Sequence, residues 1–310
     1  MRVLMLFLDG VGIGRRDPLH NPFAVAKLPA FRSLLGGELP SSRRGHLTGE
    51  DALCLPLDAT LGVPGLPQSG TGQTALFTGH NAARLIGKHF GPYPFSTLRP
   101  LLETDSLFRR LTAGGKRCCF ANAFPQRFFD YADRHPSRLS VTTLSCRYAG
   151  VPLLRGDDLH AGKAVSADIT NSGWHALGYP HIPLIDPAEA GRRLARLTRH
   201  HDFVLFEYWK TDHAGHARSM HEALDVLEKF DGLLLGILEE VDTRDTLLMI
   251  TSDHGNIEDL SMKTHTRNPV PLVLHGFRRG EFVHALSLAS RSRPSLCNVT
   301  PALLDLFSLP

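Results

Sequence analysis

The chain has 310 residues, of which 42% are hydrophobic and 21% charged, and its formal net charge is +3. This composition is that of an ordinary globular protein and excludes a largely disordered chain. The interspersed acidic and basic residues favour neither a nucleic-acid-binding surface nor an acidic tail. The five cysteines form no C-x-x-C pair, so we expect neither a disulfide framework nor a thiolate zinc site.

The first predicted strand begins almost at the N-terminus. Residues 3–8 are a continuous apolar run of strand length, which is typical of a central strand covered on both faces. The run is too short to span a membrane and no small-residue cleavage site follows it, so we expect a cytoplasmic protein without a membrane partner. Asp9 stands where this strand ends, either as a ligand or as part of a turn.

A segment of small and hydroxyl residues, residues 65–79, comes after a probable helix over residues 24–35. It precedes an apolar helical stretch, so it puts Ser69 or Thr71 at a helix N-terminus. There, unpaired amides and the helix dipole favour an anion. A simple helix cap without chemistry gives the same pattern.

The middle of the chain departs from regular alternation. Residues 98–111 predict an amphipathic helix, and residues 118–121 predict a strand. From residue 124 to residue 187 the sequence then loosens into proline, glycine and aromatic residues. We interpret this stretch as a small inserted cap or lid, so that residues 1–123 and 188–310 form one discontinuous metal-binding α/β core.

Alternation returns after the predicted insertion. Helices are predicted over residues 188–198, 220–241 and 300–307, and strands over residues 203–208 and 247–251. Asp212 and His216 are four residues apart, which lets one helical turn bring both to a single metal ion. Asp253 and His254 follow the strand at residues 247–251, and His265 lies in a loop that leads into another apolar strand.

These elements predict a doubly wound, mostly parallel α/β sheet with helices on both faces. In such a sheet the loops after the strands share one edge, so the acids and imidazoles on them can meet there. A mixture of oxygen and nitrogen ligands without thiolate suits zinc or manganese. A buried carboxylate beside an imidazole also needs a compensating cation.

Five motifs together resemble the alkaline phosphatase superfamily of metalloenzymes, and within it the branch of cofactor-independent phosphoglycerate mutase. They cover both ends of the chain and miss its middle. In chain order they are Leu8-Asp9-Gly10, Ser69-Gly70-Thr71-Gly72, Asp212 to His216 with its D-x-x-G-H spacing, Thr251-Ser252-Asp253-His254-Gly255 and the stretch from His265 to Pro271.

The resemblance implies an alkaline-phosphatase-like fold that holds two divalent metal ions, zinc or manganese. One ion would be bound by Asp212, His216 and His265. The other would be bound by four groups, namely Asp9, Asp253, His254 and the hydroxyl oxygen of Ser69. Ser69 would be the metal-activated nucleophile and would form a phosphoserine, with Thr71 as the alternative nucleophile, because the superfamily also uses threonine.

The resemblance does not extend to the substrate site of the mutases, because this chain has space for only a small insertion. Candidate contacts to a small phosphorylated substrate, chosen by their positions near strand ends, are Lys88, His89, Asn122, Arg127 and Lys210. The sequence does not determine the oligomeric state.

The favoured function is therefore a two-metal phosphoric ester hydrolase, either a phosphatase or a phosphodiesterase. The alternative is a phosphomutase of the phosphoglycerate mutase or phosphopentomutase type. Further hypotheses are a sulfatase, a phosphonate hydrolase and a non-catalytic binding protein. Retention of all seven expected ligands argues against the last of these, since a protein without chemistry has no need for so many buried polar groups.

Overall fold

An eight-stranded sheet runs through the protein. The computed structural model describes residues 1–290 and 293–309. The strands, in chain order, are β1 (Arg2–Leu8), β2 (Leu47–Thr48), β3 (Ala52–Leu57), β4 (Cys118–Ala123), β5 (Leu153–Leu154), β6 (Phe203–Tyr208), β7 (Thr246–Thr251) and β8 (Val270–Gly276).

The strand order is β2-β3-β8-β7-β1-β6-β4-β5. The five strands from β7 to β5 are parallel, whereas β8 pairs antiparallel with β7 and with β3, and β2 pairs antiparallel with β3. Every residue of β6 and β7 is buried, as expected for parallel strands that helices cover on both faces. The predicted α/β class with a mostly parallel sheet is confirmed.

The helices fill the connections between the strands. They are α1 (Pro29–Leu34), α2 (Ser69–Thr78), α3 (Ala82–Ile86), α4 (Arg99–Asp105), α5 (Leu107–Ala113), α6 (Gln126–Arg134), α7 (Val141–Ala149), α8 (Gly156–His160), α9 (Ser172–Ala176), α10 (Pro187–Leu197), α11 (Lys210–Ala217), α12 (Met220–Glu240), α13 (Arg279–Ala289) and α14 (Val299–Leu306). Within the described ranges, no helix combines the length and the apolar composition that crossing a bilayer requires.

Two hydrophobic clusters lie on opposite faces of the sheet, because successive side chains of a strand point to opposite faces. On β1, Val3, Met5 and Phe7 pack with residues of α2, α5, α7 and α14. The alternate residues of the same strand pack with α1, α10 and α12 on the other face. Burial of this large apolar area on both faces stabilises the sheet that positions the site.

Two predicted helices differ from the observed ones. The helix predicted over residues 98–111 is two helices, α4 and α5, because Ser106 has an extended backbone and its hydroxyl accepts a hydrogen bond from the Arg109 amide as an N-cap. The helix predicted over residues 24–35 is only α1. It begins at Pro29, which removes a backbone donor and keeps Leu28 out of the helical region.

The segment predicted as a cap, residues 124–187, is distributed over the molecule. Its strand β5 extends the main sheet by pairing with β4, and α7 places Val141 and Cys146 in the main core. By contrast, α6 and α9 contribute to the wall of a cavity beside the carboxyl edge of the sheet. The division of the chain into a core and a cap stays a prediction.

Candidate metal centre

Five of the predicted ligands reach one edge of the sheet because three neighbouring parallel strands end there. Strand β1 lies between β6 and β7. Asp9 directly follows β1, and Asp253 and His254 follow β7 after one intervening residue. The helix that follows β6, α11, carries Asp212 in its first turn and His216 in its last turn.

His265 reaches the same edge by a different route. Strand β8 is antiparallel to β7, so the start of β8 lies beside the end of β7. The loop that carries His265 is tied to the loop after β7 by a bridge in which the Thr266 amide donates to the Gly255 carbonyl at 2.9 Å. The sheet topology therefore brings His265 back to residues that follow β7.

Asp212, His216 and His265 form a compact group of ligand atoms. His216 Nε2 lies 3.3 Å from Asp212 Oδ2, and His265 Nε2 lies 3.6 Å from Asp212 Oδ1. The two imidazole Nε2 atoms are 3.1 Å apart. One ligand atom from each of the three residues lies within 4.8 Å of the others, which is the spacing of a metal-binding triad.

The tautomer of His265 is fixed by its backbone contact. His265 Nδ1 lies 2.8 Å from the Pro67 carbonyl oxygen, which can only accept, so Nδ1 carries the proton. The lone pair of Nε2 then faces Asp212 and His216. A backbone carbonyl that orients a ligating imidazole in this way is a common feature of metal sites.

A second group shares Asp212 with the first. Asp9, Asp212 and His254 also offer ligand atoms within 4.8 Å of one another. His254 Nε2 lies 3.4 Å from Asp9 Oδ1 and 3.6 Å from Asp253 Oδ2. Ser69 Oγ lies 3.0 Å from the same His254 nitrogen. The predicted second set is thus brought together, with Asp212 close to both groups.

Burial and mutual repulsion perturb the ionisation of these residues in the protein alone. Burial, and next the nearby charge of Asp212, raise the pKa of Asp253 to about 7. Burial and the charge of Asp253 raise the pKa of Asp9 well above its usual value. Burial also lowers the pKa of His254 and of His265, which favours neutral imidazoles. Neutral imidazole is the form that binds metals.

Divalent cations fit this arrangement. Asp9 Oδ1 and Asp253 Oδ2 are buried without a hydrogen-bond partner. Within residues 1–290 and 293–309, Asp9, Asp212 and Asp253 form no ion pair with a lysine or arginine. Buried carboxylates without such compensation are unfavourable, and a set of oxygen and nitrogen ligands suits zinc or manganese. Two cations would neutralise the acids and use the unpartnered oxygens.

Ser69 and Thr71 have different surroundings although both lie in the first turn of α2. The Ser69 hydroxyl faces His254. The Thr71 hydroxyl donates to the Gln68 carbonyl at 3.1 Å and accepts from the Phe90 amide at 3.2 Å. Thr71 is fully buried. Its hydroxyl therefore links α2 to a neighbouring loop, whereas that of Ser69 lies among the ligand atoms.

Two glycines of the predicted motifs allow close backbone approach. Gly10 has a φ of +69°, and a Cβ on it would lie 2.5 Å from Asp212 Oδ1. A Cβ on Gly72 would lie 2.8 Å from the Asp253 carbonyl oxygen. These glycines let β1 and α2 pack directly against the residues that carry the ligands.

The predicted substrate contacts separate into two groups. Lys88 lies over the rings of Phe90 and Phe95, and His89 Nε2 lies 3.3 Å from the Val63 carbonyl oxygen. Neither residue lines the cavity at the site. Three others do, and they are Asn122, Arg127 and Lys210.

Glu207 is a buried acid near the site that the sequence analysis did not select. It lies in β6 and lines the cavity, and its carboxylate accepts a 2.5 Å hydrogen bond from the Thr142 hydroxyl. Burial raises its pKa to about 7. Asn122 exchanges two 2.8 Å hydrogen bonds with the Glu207 backbone, so this predicted substrate contact also holds β4 and β6 together. The feature of the sequence that could have identified Glu207 is an acidic residue near the end of an otherwise apolar strand.

Gln73 and Glu258 are two further polar residues at the site, and the spacing of residues along the sequence did not identify them. Gln73 Nε2 donates to Asp9 Oδ2 at 3.5 Å. Glu258 accepts hydrogen bonds from the Gly12 and Asn256 amides and from the hydroxyl of Thr266. Glu258 therefore connects the loop after β1 with the two loops that carry His254 and His265.

Comparison with known proteins gives a family match for part of the chain. Residues 184–310, which include five of the seven predicted ligands, match the sequence model of the Metalloenzyme superfamily. The matched segment begins just before α10 and contains α11, β7 and β8, the elements around which the two ligand groups are built.

Curated relatives of this chain carry the name 2,3-bisphosphoglycerate-independent phosphoglycerate mutase. The protein from Acaryochloris marina is 33% identical over 119 residues, which are 36% of this chain and 22% of the relative. The protein from Methanococcus vannielii is 30% identical over 168 residues, or 52% of this chain and 39% of the relative. The alignments thus span less than half of these relatives.

Solved structures share the fold over nearly the whole chain. A Pyrococcus horikoshii protein superposes with a TM-score of 0.58 at 13% identity and covers 99% of this chain and 96% of its own. The alkaline phosphatase of the Antarctic bacterium TAB5 superposes with a TM-score of 0.54 at 11% identity, covering 99% and 98% of the two chains. The predicted alkaline-phosphatase-like fold is confirmed.

Proposed function

We propose that the protein is a two-metal phosphoric ester hydrolase that uses Ser69 as its nucleophile. Asp212, His216 and His265 would hold one divalent ion, and Asp9, Asp253, His254 and Ser69 would hold the other. Asp212 lies close enough to contribute to both. When bound, such ions activate nucleophiles at neutral pH and stabilise charge on a transferring phosphoryl group.

In the proposed reaction Ser69 Oγ forms a bond to phosphorus as the bond between phosphorus and the alcohol oxygen breaks. The alcohol leaves with a proton equivalent to the one that the serine loses. Water then splits the phosphoserine, releases inorganic phosphate and restores the serine hydroxyl. Ser69 is the first residue of α2, so backbone amides of this helix N-terminus face the transferred group and favour its negative charge.

The observation that carries this proposal is the position of Ser69 Oγ, 3.0 Å from His254 Nε2 and within the group of buried carboxylates. A serine that served only as a helix cap would accept a hydrogen bond from its own helix. In the described part of the chain Gln68 holds the N-cap position of α2, and the contact found for the Ser69 hydroxyl is with His254 Nε2. The hydroxyl is therefore available for chemistry at the ligand cluster.

A phosphomutase with the same site is the second candidate, because curated relatives at 30–33% identity are named phosphoglycerate mutases. A mutase must also hold the dephosphorylated substrate and exclude water while the phosphoryl group returns. Hydrolysis requires only the site and water. Three arginines that line the cavity, Arg127, Arg134 and Arg138, are exposed to solvent, so water can enter the cavity as hydrolysis requires, and this supports the hydrolase.

The decisive experiment combines metal reconstitution with a panel of phosphate esters. The purified protein is stripped with a chelator and then loaded with Zn²⁺ or Mn²⁺, and release of inorganic phosphate is followed. We expect turnover only after metal loading. Interconversion of phosphoglycerates without phosphate release would assign the mutase function instead. Absence of both reactions with either metal would refute phosphoryl transfer.

The nucleophile is tested by a matched pair of variants. We expect Ser69→Ala to lower kcat by at least about 10³-fold and to abolish a phosphoserine detectable by mass spectrometry of the quenched enzyme. Thr71→Ser keeps the hydroxyl that bonds Gln68 and should retain turnover. Full activity of Ser69→Ala would contradict the assignment.

Cytoplasmic localisation belongs to the same proposal. All five cysteines are unpaired, and burial raises the thiol pKa of Cys54 and Cys119 to about 12. Unpaired, inert thiols are typical of a reducing compartment. The expected partner there is a small phosphorylated substrate.

A further inference from the structure

A cavity of about 1000 Å³ opens beside the candidate metal centre. Asp9, Ser69 and Asp212 lie on its lining, so one end of a bound molecule could reach the nucleophile. The volume is at the upper end of the range for pockets that enclose whole small molecules. A phosphate group alone would leave most of it unfilled, so the cavity must accept the alcohol part of the substrate.

The lining of this cavity is unusually aromatic. Its rings come from the loop before α4, from β4, from α6 and the residue two before it, from α9 and from the N-terminus of α11. They include Tyr93, Phe120, Phe124, Phe128, Trp174 and Trp209. Leu139 and Leu177 are the leucines among the lining residues. Seven of the 28 residues on the lining are aromatic, so flat rings make up a large share of its nonpolar surface, beside charged side chains such as Arg127 and Lys210.

Several of these rings already form a continuous wall. The rings of Phe124 and Phe128 stack with centroids 4.2 Å apart, and Phe120 lies 5.7 Å from Phe124. Trp174 is buried and its indole donates a hydrogen bond to Ser166, which holds the ring in place. Trp209, in contrast, is 42% exposed, which is high for a tryptophan beside a site and leaves its ring available to a ligand.

We propose that the substrate is a phosphate ester of an aromatic alcohol, whose ring lies against this wall while its phosphate reaches Ser69. Aromatic side chains prefer offset-stacked or edge-to-face partners, so they favour a planar ring over an aliphatic chain of equal size. Burial of the ring adds a hydrophobic contribution. The proposal rests on the proposed phosphoryl-transfer function for the reacting end and adds the chemical class of the leaving group.

Binding can be measured without turnover because both tryptophans of the chain, Trp174 and Trp209, line the cavity. The zinc-loaded protein is titrated with 1-naphthylmethylphosphonate, cyclohexylmethylphosphonate and methylphosphonate while tryptophan fluorescence is followed. We expect the naphthyl compound to change the fluorescence and to bind at least about tenfold more tightly than the other two. Equal affinities for the three compounds, or tighter binding of the cyclohexyl compound, would overturn the inference.

A matched pair of phenylalanine variants locates the effect. Phe128 lines the cavity, whereas its neighbour Phe129 is not on the lining and stacks under the Arg155 guanidinium at 3.7 Å. Phe128→Leu should weaken naphthylmethylphosphonate binding severalfold with little effect on methylphosphonate. Phe129→Leu should have a clearly smaller effect, because Phe129 packs edge-on against Phe128 from behind the lining at 5.7 Å. The same loss in both variants would overturn the assignment of this wall.

Turnover separates failure of this inference from failure of the proposed function. If 1-naphthyl phosphate and glycerol phosphate are hydrolysed with equal kcat/KM and the phosphonates bind equally, the hydrolase function stands and the aromatic specificity is refuted. If the naphthyl compound binds selectively but no ester is turned over, the aromatic site stands and the phosphoryl-transfer function is refuted.

Discussion

His216 Nε2 lies 3.1 Å from His265 Nε2, although 49 positions separate the two residues in the chain. One residue is in the last turn of α11, and the other lies in the loop before β8. Their nitrogens would repel if both were protonated or would share a single proton if only one were. A divalent cation bound by both lone pairs would remove this repulsion, as the proposed metal centre requires.

Replacing one of these imidazoles should remove a metal ligand. We expect His216→Ala to weaken zinc binding by more than about 10–100-fold, which is the typical loss when a group that only orients a metal ligand is replaced. The metal content after dialysis, measured by atomic emission, should fall by about one equivalent. His213→Ala is the control because His213 is exposed on the same helix and belongs to neither ligand group. An unchanged metal content in His216→Ala would remove His216 from the site.

The effect of the Asp253→Asn substitution on the melting temperature should change sign when the protein is loaded with metal. In the metal-free protein its carboxylate is fully buried with one unpartnered oxygen, so at pH 8 Asp253→Asn should raise the melting temperature by relieving repulsion. In the zinc-loaded protein the same substitution should lower it, because saturation at 100 times Kd stabilises the wild type by about 2.7 kcal/mol. Calorimetry with and without chelator measures both effects, and an effect of one sign in both states would argue against a metal-binding carboxylate.

Glu207 should make the folding stability depend on pH. Its pKa is raised to about 7 in the folded protein by burial, from an ordinary value near 4.5. The folded state therefore binds this proton more tightly than the unfolded state does. The resulting contribution of Glu207 to the free energy of unfolding is fully present below about pH 4.5 and is lost as the pH rises towards 7. At pH 8 the loss is on the order of 3 kcal/mol.

Glu207→Gln isolates this contribution because the amide oxygen can still accept from Thr142. In chelator-treated protein the stability of the variant relative to the wild type should increase between pH 5 and pH 8 in denaturant titrations. A difference that does not vary over this range would mean that Glu207 ionises at its ordinary pKa.

Gly10 should tolerate no side chain because it lies too close to Asp212. Gly10→Ala would combine the strain of a positive φ with a Cβ 2.5 Å from Asp212 Oδ1, so it should weaken metal binding as well as destabilise the fold. Gly37→Ala is the control, since Gly37 also has a positive φ, of +92°, but has open space at its Cβ position. Both variants should lose about 1–3 kcal/mol to strain. Only Gly10→Ala should also release metal, as measured by zinc titration. Equal zinc affinities would contradict the role of close approach.

The sequence by itself determined the fold class and the set of residues that meet. Continuous apolar runs of strand length such as β6 and β7 are typical of buried parallel strands, and the polar residues that follow parallel strands are expected to share one edge of the sheet. This argument located Asp9, Asp212, Asp253 and His254 without any coordinates. From the residue pattern alone Ser69 and Thr71 were neighbours on one helical turn, and only the family resemblance favoured Ser69 as the nucleophile.

The tertiary structure decided what depends on contacts between distant segments. That Asp212 lies near both ligand groups, that the Thr71 hydroxyl bonds Gln68 and Phe90, and that Glu207 is buried behind Thr142 follow from packing rather than from spacing. The same holds for the aromatic wall, whose rings come from five segments between residues 93 and 209. Periodicity along the chain reports which face of an element is buried, but only the packing of elements against one another fixes which side chains on different segments meet.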